Sequence, residues 1–212
     1  MRHLSTVFGV LLTIGALALA GCDSTGINDD EDDEPLETVR VYDLPADPDT
    51  TSGPGRPQGY GRYTFFDLRD DEIVLRSPND NRADSASTEW DIAFQSTDII
   101  LNGGSKGPGH GAAYMAKKSF QEVTEANADS LTHHTVDAMK GSWYSYNANG
   151  NNIVRPKPGR TIVVRTADGE SYAKIRILSY YEGAPDDPAE SDAESRYYTF
   201  EYVLQDEGTS FE

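Results

Sequence analysis

The strongest constraint on this chain is an alternation of apolar and polar residues at period two, set around a turn. Residues 160–167 and 170–181 flank Asp168-Gly169, and each run alternates as a half-buried strand does. An Asp-Gly pair between two such runs predicts a hairpin with a type I′ turn. In the second run Ala173, Ile175 and Ile177 share one face while Lys174 and Arg176 take the other, so one sheet face is expected to be solvated. Residues 197–205 repeat the pattern, with Tyr198, Phe200, Tyr202 and Leu204 inward and Thr199 and Glu201 outward. Further strands are predicted at 37–42, 60–68, 72–75 and 90–101, divided by Pro- and Gly-rich connectors such as 51–59. Helix is confined to a turn or two between Ala126 and Met139. The expected fold is mainly β: a single all-β domain with little helix, preceded by a disordered acidic tether.

That tether follows a leader. Arg2 and His3 precede an uncharged stretch over 4–20 whose apolar core is short for a bilayer span and typical of an export signal. It ends in Leu19-Ala20-Gly21-Cys22, which resembles the bacterial lipobox, so residues 1–21 are read as a lipoprotein signal peptide and Cys22 as the lipidation site. The single cysteine excludes an intramolecular disulfide. Asp29, Asp30, Glu31, Asp32, Asp33 and Glu34 repel one another and cannot pack, which makes residues 22–36 an extended tether and residues 37–212 the folded domain. The run is similar to the acidic display signals of surface lipoproteins in Bacteroidetes-type bacteria. An outer-membrane lipoprotein exposed at the cell surface is therefore expected, although Asp23 directly after the cysteine leaves the leaflet open. With 36 acidic and 18 basic residues the formal charge is -18, which excludes nucleic acid as a partner. Membrane contact is expected through the lipid anchor alone.

The candidate enzymatic motifs fail on context. Gly103-Gly104-Ser105-Lys106-Gly107 fits G-x-S-x-G, but Pro108-Gly109 follow where a nucleophile elbow needs a helix, and no alternating β and α segments surround it. Lys106 is followed by Gly107 rather than Ser or Thr, so no phosphate-binding loop is formed. The glycines read instead as a wide turn needing positive φ. Residues 77–87 and 183–195 read as loops; Asp80, Asn81 and Asp84 lack calcium-loop spacing, and Asp186, Asp187, Glu190, Asp192 and Glu194 form a solvated insertion. The chain is expected not to be an enzyme.

Other residues carry a family resemblance. Trp90-Asp91-Ile92-Ala93-Phe94, Leu101-Asn102-Gly103-Gly104 and Gly111-Ala112-Ala113 resemble the signature of the HmuY family of haem-binding lipoproteins. Arg165-Thr166-Ala167-Asp168-Gly169, Tyr172-Ala173-Lys174-Ile175, Tyr180-Tyr181 and Tyr198-Thr199-Phe200-Glu201-Tyr202 continue it in order. The resemblance implies a hand-like, almost all-β fold and a surface or shed lipoprotein. It also implies haem as cofactor, haem or a haem-carrying protein as partner, and a TonB-dependent outer-membrane receptor as the recipient. The residues themselves have a structural reading too, with Trp90, Ile92 and Phe94 filling a core and Asn102-Gly103-Gly104 turning the chain.

Haem needs an apolar slot and axial donors, usually His or Met. The mature chain offers His110, His133, His134, Met115 and Met139. Family members take one donor before a central Trp-containing strand and one a few residues after it. Here that strand is read as residues 142–146, and Asn147-Ala148-Asn149-Gly150-Asn151 follow it without an ordinary iron ligand. His133 and His134 lie near the first donor's place. Adjacent residues on extended backbone point to opposite sides, so one of them would bind, with Met139 or a more distant residue completing the site. The alternatives are an adhesion or structural module of the same fold without haem coordination, and a carrier of another small apolar ligand.

Overall fold

The computed structural model describes residues 35–50, 58–74, 81–136, 143–146 and 152–212. Cys22, the acidic run, Leu75, Met139 and residues 147–151 lie outside the described residues. Pro35–Glu212 form one compact unit. No helix among the described residues is long and apolar enough to cross a membrane.

The chain is mainly β, as the alternation predicts. Strands β1 (Thr38–Pro45), β6 (Ala112–Ala116), β9 (Thr161–Arg165), β10 (Tyr172–Tyr181) and β11 (Ser195–Gln205) form an antiparallel sheet in the order β1-β11-β10-β9-β6. Strands β2 (Thr64–Asp67), β3 (Glu72–Ile73), β4 (Ile92–Gln95) and β5 (Asp98–Leu101) form a second sheet in the order β3-β2-β4-β5. A small hairpin pairs β7 (Tyr144–Tyr146) with β8 (Val154–Pro156). One five-residue helix, α1 (Asn81–Ser85), sits in the stretch read as a loop, and the turn expected after Ala126 is a single 3-10 turn at Ala128–Ser130.

The two larger sheets share one core. Phe66, Ile92, Phe94, Ile99 and Leu101 from the second sheet pack with Ile162, Val164, Ala173, Ile175, Tyr198, Phe200 and Tyr202 from the first. Phe94 stacks on Phe200 at 5.4 Å between ring centroids, and Phe66 meets the same ring edge-on at 5.7 Å. Each such buried aromatic contributes about 2–3 kcal/mol through the area it removes from water. The inward set expected on β10 and β11 is therefore the observed one.

The outward set needs correction. The outer face of the five-stranded sheet is not left to solvent: a strap over residues 117–127 and the C-terminal residues cover it. Phe120, Val123, Ala126 and Phe211 pack there on Val163 and Val203. Lys174, expected in water, is only 7% exposed; its Nζ donates to the Val123 carbonyl at 2.9 Å and lies over the Phe120 and Phe211 rings. Burial lowers its pKa from the usual value, with Glu212 pulling the other way. Glu201 is buried because arginines from both neighbouring strands, Arg40 and Arg176, bond to its two carboxylate oxygens.

Three further expectations change. The run over 90–101 is a hairpin of two strands, turned at Ser96, which has φ of 50°. Trp90 precedes β4 and swings to a separate cluster with Phe65, Ala93 and Ile100 on the far face of the second sheet. At the Asp-Gly hairpin only Gly169 has positive φ (83°), so the turn is not type I′. Instead Gly169 N donates to Thr166 O, Thr166 N donates to Ser171 O, and the Asp168 carboxylate accepts from Thr166 Oγ1, Glu170 N and Ser171 N. Although burial pushes Asp168 upward, these bonds and the Arg69 guanidinium hold its pKa down at about 2.

Candidate functional site

β5 and β6 are edge strands of different sheets, and residues 133–136 run between them as a clip. Ala113 N donates to His133 O at 2.7 Å on the β6 side, and Leu101 N donates to His134 O at 2.9 Å on the β5 side. Val136 N then donates to Ile99 O at 2.8 Å, and the Val136 side chain enters the shared core. Consecutive carbonyls on extended backbone point opposite ways, which is how two neighbouring histidines bond to two sheets. The chain is fixed again at Trp143, which is buried and donates its indole N–H to Thr97 O at 3.3 Å.

Both histidine side chains are half-buried. The His134 ring is held by two glycines: Nδ1 lies 2.7 Å from Gly111 O, and a Cβ at Gly104 would come within 2.5 Å of His134 Cδ2 and 2.8 Å of Nε2. Because the carbonyl can only accept, Nδ1 carries the proton, leaving Nε2 with the lone pair. An imidazole held in this way keeps Nε2 as its acceptor nitrogen, the atom that could ligate a metal. His133 bonds through its backbone to Ala113. His110 is exposed, its N–H bonded to Ala167 O and its Cβ against Gly169 at the β9–β10 hairpin. Met115 packs against the shared core. Among the described residues no three His, Cys, Asp or Glu side chains converge to hold a metal ion.

Beyond the clip stands an aromatic cluster. Trp143 contacts Tyr144 at 4.7 Å, Tyr198 at 5.4 Å and Tyr180 at 6.2 Å between centroids, and Tyr180 meets Tyr181 edge-on. Their hydroxyls are used in structure: Tyr198 donates to Ser96 O, Tyr181 accepts from Val154 N, and Tyr180 pairs with Ser96 Oγ. Burial raises the pKa of all three phenols, so they stay neutral. Tyr146 remains 55% exposed on β7. The rings are tilted or edge-on to one another and buried in the shared core, so the cluster is a packed aromatic support at this end of the fold.

Sequence reasoning missed how fully the signature residues are spent on backbone. Asp91, which alternates with the large apolar residues of its strand, is buried too: Oδ1 accepts from Ala167 N at 2.7 Å and Oδ2 from Leu68 N at 3.1 Å, joining two turns from different sheets. Burial raises its pKa to about 6 against these two bonds, with Asp67 and Asp168 adding to the rise. Asn102, fully buried, donates to Ser87 O and Trp90 O and accepts from Gly109 N. The glycine turn was foreseen. Gly104 has φ of 58°, and a Cβ at Gly103 would meet Gly111 O at 2.0 Å.

The family model described as HmuY protein matches residues 59–202, which takes in the clip, the glycine turn and the aromatic cluster. No curated protein matches the chain.

Proposed function

We propose that this chain, which belongs to the HmuY family, is a lipid-anchored haem-binding protein of the cell envelope. It takes haem from the surroundings or from a haem-carrying protein and passes it to a TonB-dependent outer-membrane receptor. The family match over 59–202 is the observation that carries this reading. His134, with Nδ1 tied to Gly111 O and Nε2 carrying the lone pair, supports it as an axial donor. His133 is the alternative first donor and Met139 the candidate partner. Cys22 carries the lipid, and the acidic run over 29–34 displays the domain. The protein works as a carrier rather than an enzyme.

Haem titration of the mature domain tests the reading. A Soret shift with low-spin bands is expected, weakening as the pH falls and protons compete for imidazole. The double variant His133→Ala, His134→Ala should lose the low-spin spectrum; an unchanged spectrum and affinity would move the site to His110 or Met115. Fatty-acid labelling should mark the wild type and not Cys22→Ser. A second reading, an adhesion or structural module without haem coordination, is favoured by the lack of an ordinary iron ligand over 147–151. It predicts no specific spectral change in the titration.

A further inference from the structure

The clip is the far end of one continuous run. From the end of β6 the chain crosses the outer face of the five-stranded sheet as the strap, makes the 3-10 turn at Ala128–Ser130, and reaches the edge between the sheets at His133. On the outer face the run is fastened to the end of the chain. Ala126 N donates to Thr209 O and Phe211 N to Thr124 O, each at 2.8 Å, while Lys174 Nζ bonds to Val123 O beneath the Phe120 and Phe211 rings. Between the two ends Asn127 N is tied to Tyr114 OH at 3.0 Å, on β6 itself.

We propose that the strap, the clip and residues 209–211 form one cooperative latch, so that releasing the chain's C-terminal residues from the outer face also frees His133–Val136 from the two sheet edges. Cooperative opening of contiguous units below the global unfolding free energy is the general behaviour of folded chains. Two features support treating this run as one unit: it is continuous chain from the strap, which bonds to residues 209–211, to the clip, which bonds to the sheet edges, and its apolar contacts gather at two points, the Lys174 cluster and Val136. Opening would leave β5 and β6 each with a bare edge and would release the histidine segment, so the latch sets when that segment can move. Its bearing on haem rests on the function proposed above; the latch itself does not.

Native-state amide exchange on the haem-free mature protein tests it. Leu101, Ala113 and Val136 report the clip and Ala126 reports the strap, while the amides of central strand β10 report global unfolding. In the wild type the four latch amides should share one exchange rate, faster than that of β10. In Phe211→Ala they should speed up together, by about tenfold or more, as expected when a buried ring is removed from a unit that opens as a whole. Lys174→Met, which keeps the stem packed but breaks the bond to Val123 O, should move the same four amides by one shared factor. The proposal is overturned if Leu101, Ala113 and Val136 keep wild-type rates while Ala126 speeds up, or if all of them exchange with β10 in the wild type.

Discussion

Asp91 makes the stability of this fold depend on pH in a direction opposite to that of an ion-paired carboxylate. Its pKa is 3.8 when unperturbed and about 6 in the folded chain, because burial outweighs the two backbone N–H donors. A folded-state value raised above the unfolded one favours folding fully below the unfolded pKa, and that contribution is lost as the pH rises through 6. The rise is a little over two pKa units, each equivalent to about 1.4 kcal/mol, so the whole swing is about 3 kcal/mol, of which about 2.5 kcal/mol falls between pH 4 and pH 7. Asp91→Asn removes the titration while keeping shape and one acceptor. Urea unfolding of both proteins should be measured at pH 4, 5, 6 and 7, and the difference in unfolding free energy taken at each, which cancels the other carboxylates. The advantage of the wild type over the variant should shrink by about 2.5 kcal/mol across that range. A difference that stays level, or that grows with pH, would refute the claim that burial dominates at Asp91.

Asn102→Ala removes three buried side-chain hydrogen bonds and should cost about 3 kcal/mol in urea unfolding, at about 1 kcal/mol for each bond; a loss below about 1 kcal/mol would mean that water replaces the side chain. Gly104→Ala puts a methyl against the His134 ring at a φ of 58°, so the His134 imidazole nitrogen shifts should move and the fold should lose about 1–2 kcal/mol. Unmoved shifts would show that the ring does not rest on Gly104. With 36 acidic against 18 basic residues, the formal charge of -18 should make Tm rise between low and physiological ionic strength. A flat response would show that self-repulsion does not limit stability.

The strands were legible wherever one face was apolar over several residues, and β10 and β11 carry the clearest alternation. β6 escaped because Ala-Ala-Tyr-Met-Ala has no β-branched residue to mark it. The break within 90–101 escaped for a similar reason: Ser96-Thr97 is a small polar interruption in an apolar run, and only a positive φ at Ser96 makes it a turn. Lys174 and Glu201 read as solvent-facing because alternation reports which side of a strand a residue takes and not what later covers that side. The histidine pair was visible as a donor candidate. Its bonding to two sheets was not, because the partners Ala113 and Leu101 are bound through backbone atoms that every sequence possesses. Asp91 and Asn102 stood out in the signature for the same hidden reason, since a short polar side chain that ties distant loops by their amides leaves no periodic trace.

β1 bears on how this protein tolerates its own crowding. It closes one side of the five-stranded sheet, and an uncovered edge strand is a template for a neighbouring molecule's strand. Here the ladder is interrupted between Val41 and Leu44, where Asp43 takes φ of 50° and its carboxylate accepts from Gly183 N at 2.8 Å. A second chain laid along this edge would find regular backbone only over residues 38–41, with Arg40 in the middle, before the bulge turns the strand away. Copies that meet at high local concentration would find no long regular edge to share. A kinked, charged margin of this kind opposes sheet-to-sheet polymerisation in a crowded solution.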